Sequence, residues 1–174
     1  LVFLDVDTVV TRKWLTELIK SIEMDSKIGI VQSKLLQMNN PSLIDSVGCS
    51  IDFLGYAYED ERGEMEKYYK EKREFFHANS ASIIIRKKLY LYFLKNGLEL
   101  FNNDFFMYYD DTELSWKVRL LGYKIILCPT SIVYHARGIL SFRTANPRII
   151  FHLTKNRLIT LIENYRIFNL LKYL

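Results

Sequence analysis

The sequence predicts an α/β domain in which a sheet is flanked by helices. Apolar runs of strand length recur at LVFLDV, IGIVQSKLL and SASIII. Helical periodicity follows the first and third of them, and acidic residues sit at the first strand's end. Strand, acidic loop and helix in that order are the signature of open α/β sheets, whose ligands bind at strand ends.

Each element follows from local pattern. LVFLDV is too apolar for a half-exposed strand and is expected to be covered on both faces. Thr11 stands as an N-cap before RKWLTELIKSIEMD, where Trp14, Leu15, Leu18, Ile19 and Ile22 recur at helical spacing. IGIVQSKLL reads as a second strand, with a polar turn over 38–42. Residues 52–73 include the charge-dense EDERGEMEKYYKEKR, which has few aliphatic side chains. An excursion or flexible loop that buries little is expected there. SASIII is a buried strand, and the residues after it are helical. The aromatic-rich segment that follows predicts a helix over 112–121, lined by Leu114, Val118 and Leu121 and stopped by Gly122. Two short strands then end at His135. From residue 147 onward the pattern is helical with interleaved basic residues.

The 174 residues suffice for one domain with a proper core, and 49% apolar with 25% charged residues excludes a disordered chain. The first residue already belongs to an apolar run, so the chain reads as a fragment whose N-terminal part lies outside it. Net charge is +4, but from residue 137 to 174 there are seven Lys/Arg and one acid, Glu163. A basic tail suits an anionic partner or surface, and no nucleic-acid motif accompanies it. Its apolar runs fall far short of the ~20 residues that span a bilayer. Packing on the domain is the first expectation, and lying on an anionic membrane surface the second. Cys49 and Cys128 lack metal-ligand spacing and fit buried thiols in a reduced, cytoplasmic setting.

Three groups bear on chemistry. Asp5 and Asp7, two residues apart at a strand's carboxyl end, would face one side and share a hard cation such as Mg²⁺ or Mn²⁺ bridged to phosphate oxygens. They also suit a solvated strand end. Asp110 and Asp111 are adjacent carboxylates that repel, which pushes one toward a general base, while Asp111 also fits an N-cap. His135 closes a strand and is borderline enough to join two carboxylates around Mn²⁺.

The order LDVDT, SASIIIR and FNNDFFMYYDDTELSWKVRLLGYKIILCPTSIVYH resembles the family 2 glycosyltransferases of the GT-A fold, especially the rhamnosyltransferase-like and galactofuranosyltransferase-like members. Those proteins carry a strand ending in Asp-x-Asp, a Gly-Ala-rich strand ending in Arg, and a segment of the form FDExFFxYxEDxDLSWRxxxxGYxxxxxPxAxVxH. The resemblance implies a mixed sheet flanked by helices, incomplete at the N-terminus. It makes residues 1–146 the C-terminal part of the catalytic domain and 147–174 a basic amphipathic tail. It further implies inverting, metal-dependent transfer of a sugar from a nucleoside-diphosphate sugar to a hydroxyl of a glycan or lipid-linked acceptor. Asp5 and Asp7 would engage the donor and its Mg²⁺ or Mn²⁺, with Asp7 the direct ligand. His135 would complete the metal site, Asp111 would be the base and Asp110 would tune it. Trp116 would lie near the acceptor pocket or in the core. Departures are Asn102 and Asn103 in place of Asp and Glu on the acceptor side, Asp110 in place of Glu, and Ser80 in place of Gly.

FLDVDTVV also resembles the first motif of the haloacid-dehalogenase phosphatases, in which Asp5 would be the nucleophile and Asp7 the acid and base around Mg²⁺. That reading needs a lysine beside the pair, and Lys95 is its candidate. A non-catalytic sugar-binding module is a third reading. The transferase reading requires Asp7 and His135 to converge, with Asp111 facing the same cleft. The charge and amphipathic pattern of the basic tail suggest a lipid-linked acceptor presented at the inner face of the cell membrane.

Overall fold

The computed structural model describes residues 1–59, 61–137 and 146–173. In chain order the elements are β1 (Val2–Leu4), β2 (Thr8–Val10), α1 (Trp14–Glu23), β3 (Ile28–Gln37), β4 (Asn40–Ser46), β5 (Ser50–Ile51), β6 (Ala57–Tyr58), β7 (Ser82–Ile85), α2 (Lys87–Lys95), α3 (Asp110–Leu120), β8 (Lys124–His135), α4 (Pro147–Asn164) and α5 (Ile167–Tyr173). A 3₁₀ turn lies at Glu66–Tyr68.

The sheet is mixed and is built around β3. β8 runs parallel to β3 along its length, while β7 and β4 pair antiparallel to its other edge, along the first and second halves respectively. The strand order is β1-β7-β3-β8-β2. Strand alternation supplies two apolar faces. Ile83 and Ile85 join Ile30 and Ile125 under Leu89 and Phe93 of α2 and Leu114 and Val118 of α3. Ile84 joins Val31 and Cys128 on the opposite face, under Leu18 and Ile22 of α1. Gly29 permits the close approach of α3, since a Cβ there would lie 2.8 Å from Val118 Cγ1. Gly122 stops α3 with φ +82°, a conformation glycine adopts without cost.

Several expectations are corrected. The opening run is an edge strand with Val2 and Leu4 exposed, because β7 is the one described partner of β1. The hydroxyl of Thr11 donates to the Ile132 carbonyl, and Lys13 occupies the N-cap of α1 without a side-chain bond. The expected turn over 38–42 is shorter, since Asn40 already pairs with Gln37 in β4. α3 begins at Asp110, so Asp111 lies inside the first turn and Tyr109 is the cap residue. Leu121 is 37% exposed at the helix end, which leaves Leu114 and Val118 to line the buried face.

The two expected C-terminal strands are one. Pro129 cannot donate a ladder hydrogen bond, and the register slips from Ser33↔Cys128 to Lys34↔Ile132, a bulge that bends β8 without ending it. The polar groups at the bulge are satisfied by one another. Ser33 Oγ lies 2.8 Å from Ser82 Oγ and 2.9 Å from Ser131 Oγ, and Trp14 Nε1 donates to Ser82 Oγ.

β1 and β2 lie at opposite edges of the sheet, so residues 5–7 cross it. The backbone N–H of Asp5 donates to the Ala81 carbonyl just before β7, and the Asp7 carbonyl accepts from Ala136 just after β8. The aspartates therefore sit on a turn across the sheet, not on a continuing strand. α4 packs on α3, and its buried residues include Asn156, Thr160 and Leu161. Among the described residues no helix is long and apolar enough to cross a membrane.

Candidate functional site

The crossing turn brings Asp5 and Asp7 to the carboxyl end of β8, where His135 ends the strand. One ligand atom from each of the three lies within 4.8 Å of the others, and His135 Nε2 is 3.4 Å from Asp7 Oδ1. Two carboxylates and one imidazole suit a hard or borderline cation, so Mg²⁺ and Mn²⁺ both fit the donor set.

His135 also belongs to an ion network whose members lie far apart in the sequence. Asp45 is buried and lies 2.8 Å from His135 Nδ1 through Oδ2 and 2.8 Å from Arg137 Nε through Oδ1. Arg137 also pairs with Glu59, and Arg62 Nε approaches Asp45 Oδ1 at 3.7 Å. Burial works against the Asp45 carboxylate, yet the His135 hydrogen bond and the Arg137 charge outweigh it and hold its pKa below the usual range. Burial likewise pulls down His135, and the charges of Asp45 and Asp7 more than reverse this, raising its pKa. The excursion expected to bury little therefore supplies Glu59 and Arg62 to the site. A sequence signal for Asp45 does exist. It is the lone carboxylate in the apolar stretch LIDSV, and burying it demands a partner.

The second group is the pair of carboxylates at the start of α3. Asp111 accepts from the backbone N–H of Thr112 at 2.8 Å and of Ser80 at 3.4 Å. These bonds and the N-terminal dipole of α3 favour the carboxylate, but burial wins and the Asp111 pKa rises to about 6. Asp110 is also raised, by burial and then by Asp111, and its Oδ1 is buried without a hydrogen bond among the described residues.

The turn that aims both acids is strained. Tyr108 and Tyr109 have φ of +65° and +71°, rare for side chains of this size. Asn156 of α4 holds that turn, donating through Nδ2 at 2.8 Å to the carbonyls of both Met107 and Tyr108. Tyr109 donates its hydroxyl to the Gly55 carbonyl at 2.9 Å, and burial pushes its pKa up to about 12. Gly55, at φ +83°, faces Leu161 of α4 so closely that a Cβ would lie 2.9 Å away. The C-terminal helix thus supports the site.

Both groups open onto one cleft of about 850 Å³. Asp5, Asp7, His135 and Asp111 all line it, and Tyr56, Tyr58, Leu153 and Arg157 complete the wall. Arg157 lies 4.4 Å from the centre of the Tyr56 ring, a cation–π arrangement. Among the described residues no lysine lines the cleft, and Lys95 is not in its wall.

The acceptor-side residues are placed differently. Trp116 does not line the cleft, because its ring packs edge-on against Phe76 at 5.4 Å and Tyr165 at 5.1 Å, a core position. Asn102 and Asn103 line an adjoining recess of about 380 Å³ that shares Asp5, Ser80 and Asp110 with the main cleft. Asn102 Nδ2 donates to Glu163, and the Asn103 backbone donates to Glu99 at 3.0 Å.

No family model and no curated protein matches the chain. Among solved structures it is similar to the crystal structure of GalNAc-T7 with UDP, GalNAc and Mn²⁺, at a TM-score of 0.65 and 17% identity. The match covers 92% of this chain and 31% of that one, so the chain spans about a third of the neighbour's length. The fold is thus GT-A-like, a mixed sheet flanked by helices.

Proposed function

We propose that the protein to which this chain belongs transfers a sugar from a nucleoside-diphosphate sugar to an acceptor hydroxyl on a glycan or lipid-linked glycan, with inversion and with Mg²⁺ or Mn²⁺. The family we propose is family 2 of the GT-A-fold glycosyltransferases, of the rhamnosyltransferase-like or galactofuranosyltransferase-like kind. In this division residues 1–146 are the C-terminal part of the catalytic domain and 147–174 its helical tail. One observation carries the reading: Asp5, Asp7 and His135 converge in a cleft that Asp111, with its pKa raised to about 6, also lines. The GT-A-like fold, and a neighbour crystallised with UDP, GalNAc and Mn²⁺, support it.

Asp5, Asp7 and His135 would hold the metal, which when bound supplies positive charge to the departing diphosphate. Asp111 accepts the proton of the acceptor hydroxyl as that oxygen attacks the anomeric carbon from the face opposite the diphosphate. The new glycosidic bond forms as the bond to the diphosphate oxygen breaks, so the configuration inverts. Asp110, next to the base, has its own carboxyl raised by burial and then by the charge of Asp111, and in this reading it tunes its neighbour. Asn102 and Asn103 stand in the recess beside it, on the acceptor side of our reading. A phosphatase using Asp5 as nucleophile would need a lysine at the pair, and among the described residues no lysine lines the cleft.

The complete protein is to be assayed against a panel of nucleotide sugars. The expected result is release of nucleoside diphosphate from one donor, lost with EDTA and restored by Mn²⁺ or Mg²⁺. Hydrolysis of phosphate esters with no release from any donor would overturn the reading.

We further propose that the protein works at the cytoplasmic membrane face. α5 leaves Ile167, Phe168 and Leu171 exposed beside Arg166 and Lys172, the composition of an interfacial helix. Flotation with anionic liposomes should carry the intact protein and leave behind a form truncated before residue 166. Equal flotation of both would remove the proposal.

A further inference from the structure

We infer that Asp45 is a positioning residue for the metal centre. It fixes His135 in the tautomer protonated at Nδ1 and so turns the Nε2 lone pair toward Asp5 and Asp7. The inference rests on the metal reading above and goes beyond it, because Asp45 touches neither donor nor acceptor in that reading.

Asp45 is buried, and both of its oxygens are committed, Oδ2 to His135 Nδ1 and Oδ1 to Arg137 Nε, each at 2.8 Å. A carboxylate only accepts hydrogen bonds, so the neutral imidazole must donate its Nδ1–H to Asp45 and leave Nε2 unprotonated. Nε2 then faces Asp7 Oδ1 at 3.4 Å, with Asp5 within the same 4.8 Å group. Electron pairs converging in this way repel one another unless a proton or a cation lies between them, and on the neutral imidazole that place is open to a metal ion. Arg137 makes the arrangement affordable, since its guanidinium neutralises Asp45 and binds Glu59 as well.

The network continues toward the base. Glu59 accepts from Asn79 Nδ2 at 3.1 Å, and the Asn79 side chain accepts from the Ala81 backbone at 3.0 Å. Between those residues is Ser80, whose N–H donates to Asp111. One connected set of ion pairs and hydrogen bonds thus runs from the metal-facing imidazole at one end to the loop holding the base at the other. Carboxylate–histidine pairs of this kind raise the ligand's basicity and fix its ring, and their loss costs about 10–100-fold in metal affinity.

The test is a Mn²⁺ titration of the chain followed by the electron paramagnetic resonance signal of free Mn²⁺, with His135→Ala, Asp45→Ala and Asp45→Asn in parallel. Asp45→Ala is expected to bind Mn²⁺ about 10–100-fold more weakly than wild type. Asp45→Asn, whose amide oxygen still accepts from Nδ1–H, should fall between them. If His135→Ala loses affinity while both Asp45 variants stay within about twofold of wild type, the inference fails and the metal reading stands. If His135→Ala binds as wild type does, both fail. Removing Asp45 leaves Arg137 with less compensation and can unfold the chain, so a second measurement uses the wild type alone. Long-range ¹H–¹⁵N spectra of the Mg²⁺-loaded chain, assigned with His135→Ala, should show His135 protonated at Nδ1 and not at Nε2. The opposite tautomer would overturn the inference.

Discussion

Asp111→Asn is expected to lower sugar transfer by the complete enzyme about 10²–10⁴-fold, the range that general-base catalysis supplies. Donor and metal binding should remain near wild type, because Asp111 is not one of the three residues that converge as metal ligands, Asp5, Asp7 and His135. The pH profile is the sharper measurement. The base must be ionised to accept a proton, so kcat/KM should rise with pH through about 6 and level off above it. In the Asn variant that limb should disappear. Unchanged transfer by the variant would remove Asp111 as the base and favour a non-catalytic binding module.

The same substitution should stabilise the fold. Asp111 has a folded-state pKa above its unfolded value of 3.8, so the folded state binds the proton more tightly. The stability this contributes is complete below the unfolded pKa and is lost as pH rises through about 6. At neutral pH the ionised, buried carboxylate costs up to about 3 kcal/mol, and asparagine relieves it. Denaturant unfolding at pH 7 and pH 4 should show the variant's advantage at the higher pH only. A site that is less stable when ready to react is a common exchange of stability for activity.

The second large effect is expected at the metal side. Asp7→Asn and His135→Ala should each lower kcat/KM on the order of 10³-fold, since charge stabilisation by a bound ion contributes several kcal/mol to the transition state. Both should raise the Mn²⁺ or Mg²⁺ concentration at half-maximal activity, with little change in the acceptor KM. Asp5→Asn should do less, because Asp5 is the more exposed of the pair and His135 Nε2 approaches Asp7. Full activity and an unchanged metal requirement in Asp7→Asn and His135→Ala would exclude both as ligands.

Local pattern was informative where burial is periodic. Leu18 and Ile22 mark the inner face of α1, Leu114 and Val118 that of α3, and SIII the central β7, because a residue's neighbours along the chain already decide which side meets the core. The end of β8 at His135 and the stop at Gly122 were legible for the same reason. Asp5, Asp7, Asp110, Asp111 and His135 stood out as carboxylates and an imidazole at element ends, where charge is affordable only beside water or a partner.

Other features have no local record. β1 and β2 are separated by only residues 5–7, yet they pair with opposite edges of the sheet. No propensity within six residues of Asp5 encodes that crossing. Asp45 is 90 positions from His135, and Asn156 reaches back 48 positions to hold Tyr108. Local sequence determined which groups this protein carries at its strand and helix ends, because side-chain chemistry and periodic burial act over a few residues. Only the tertiary structure decided which of them are charged, oriented and turned toward one another. Desolvation and long-range ion pairing depend on what the folded chain places beside a group, whatever its distance along the sequence.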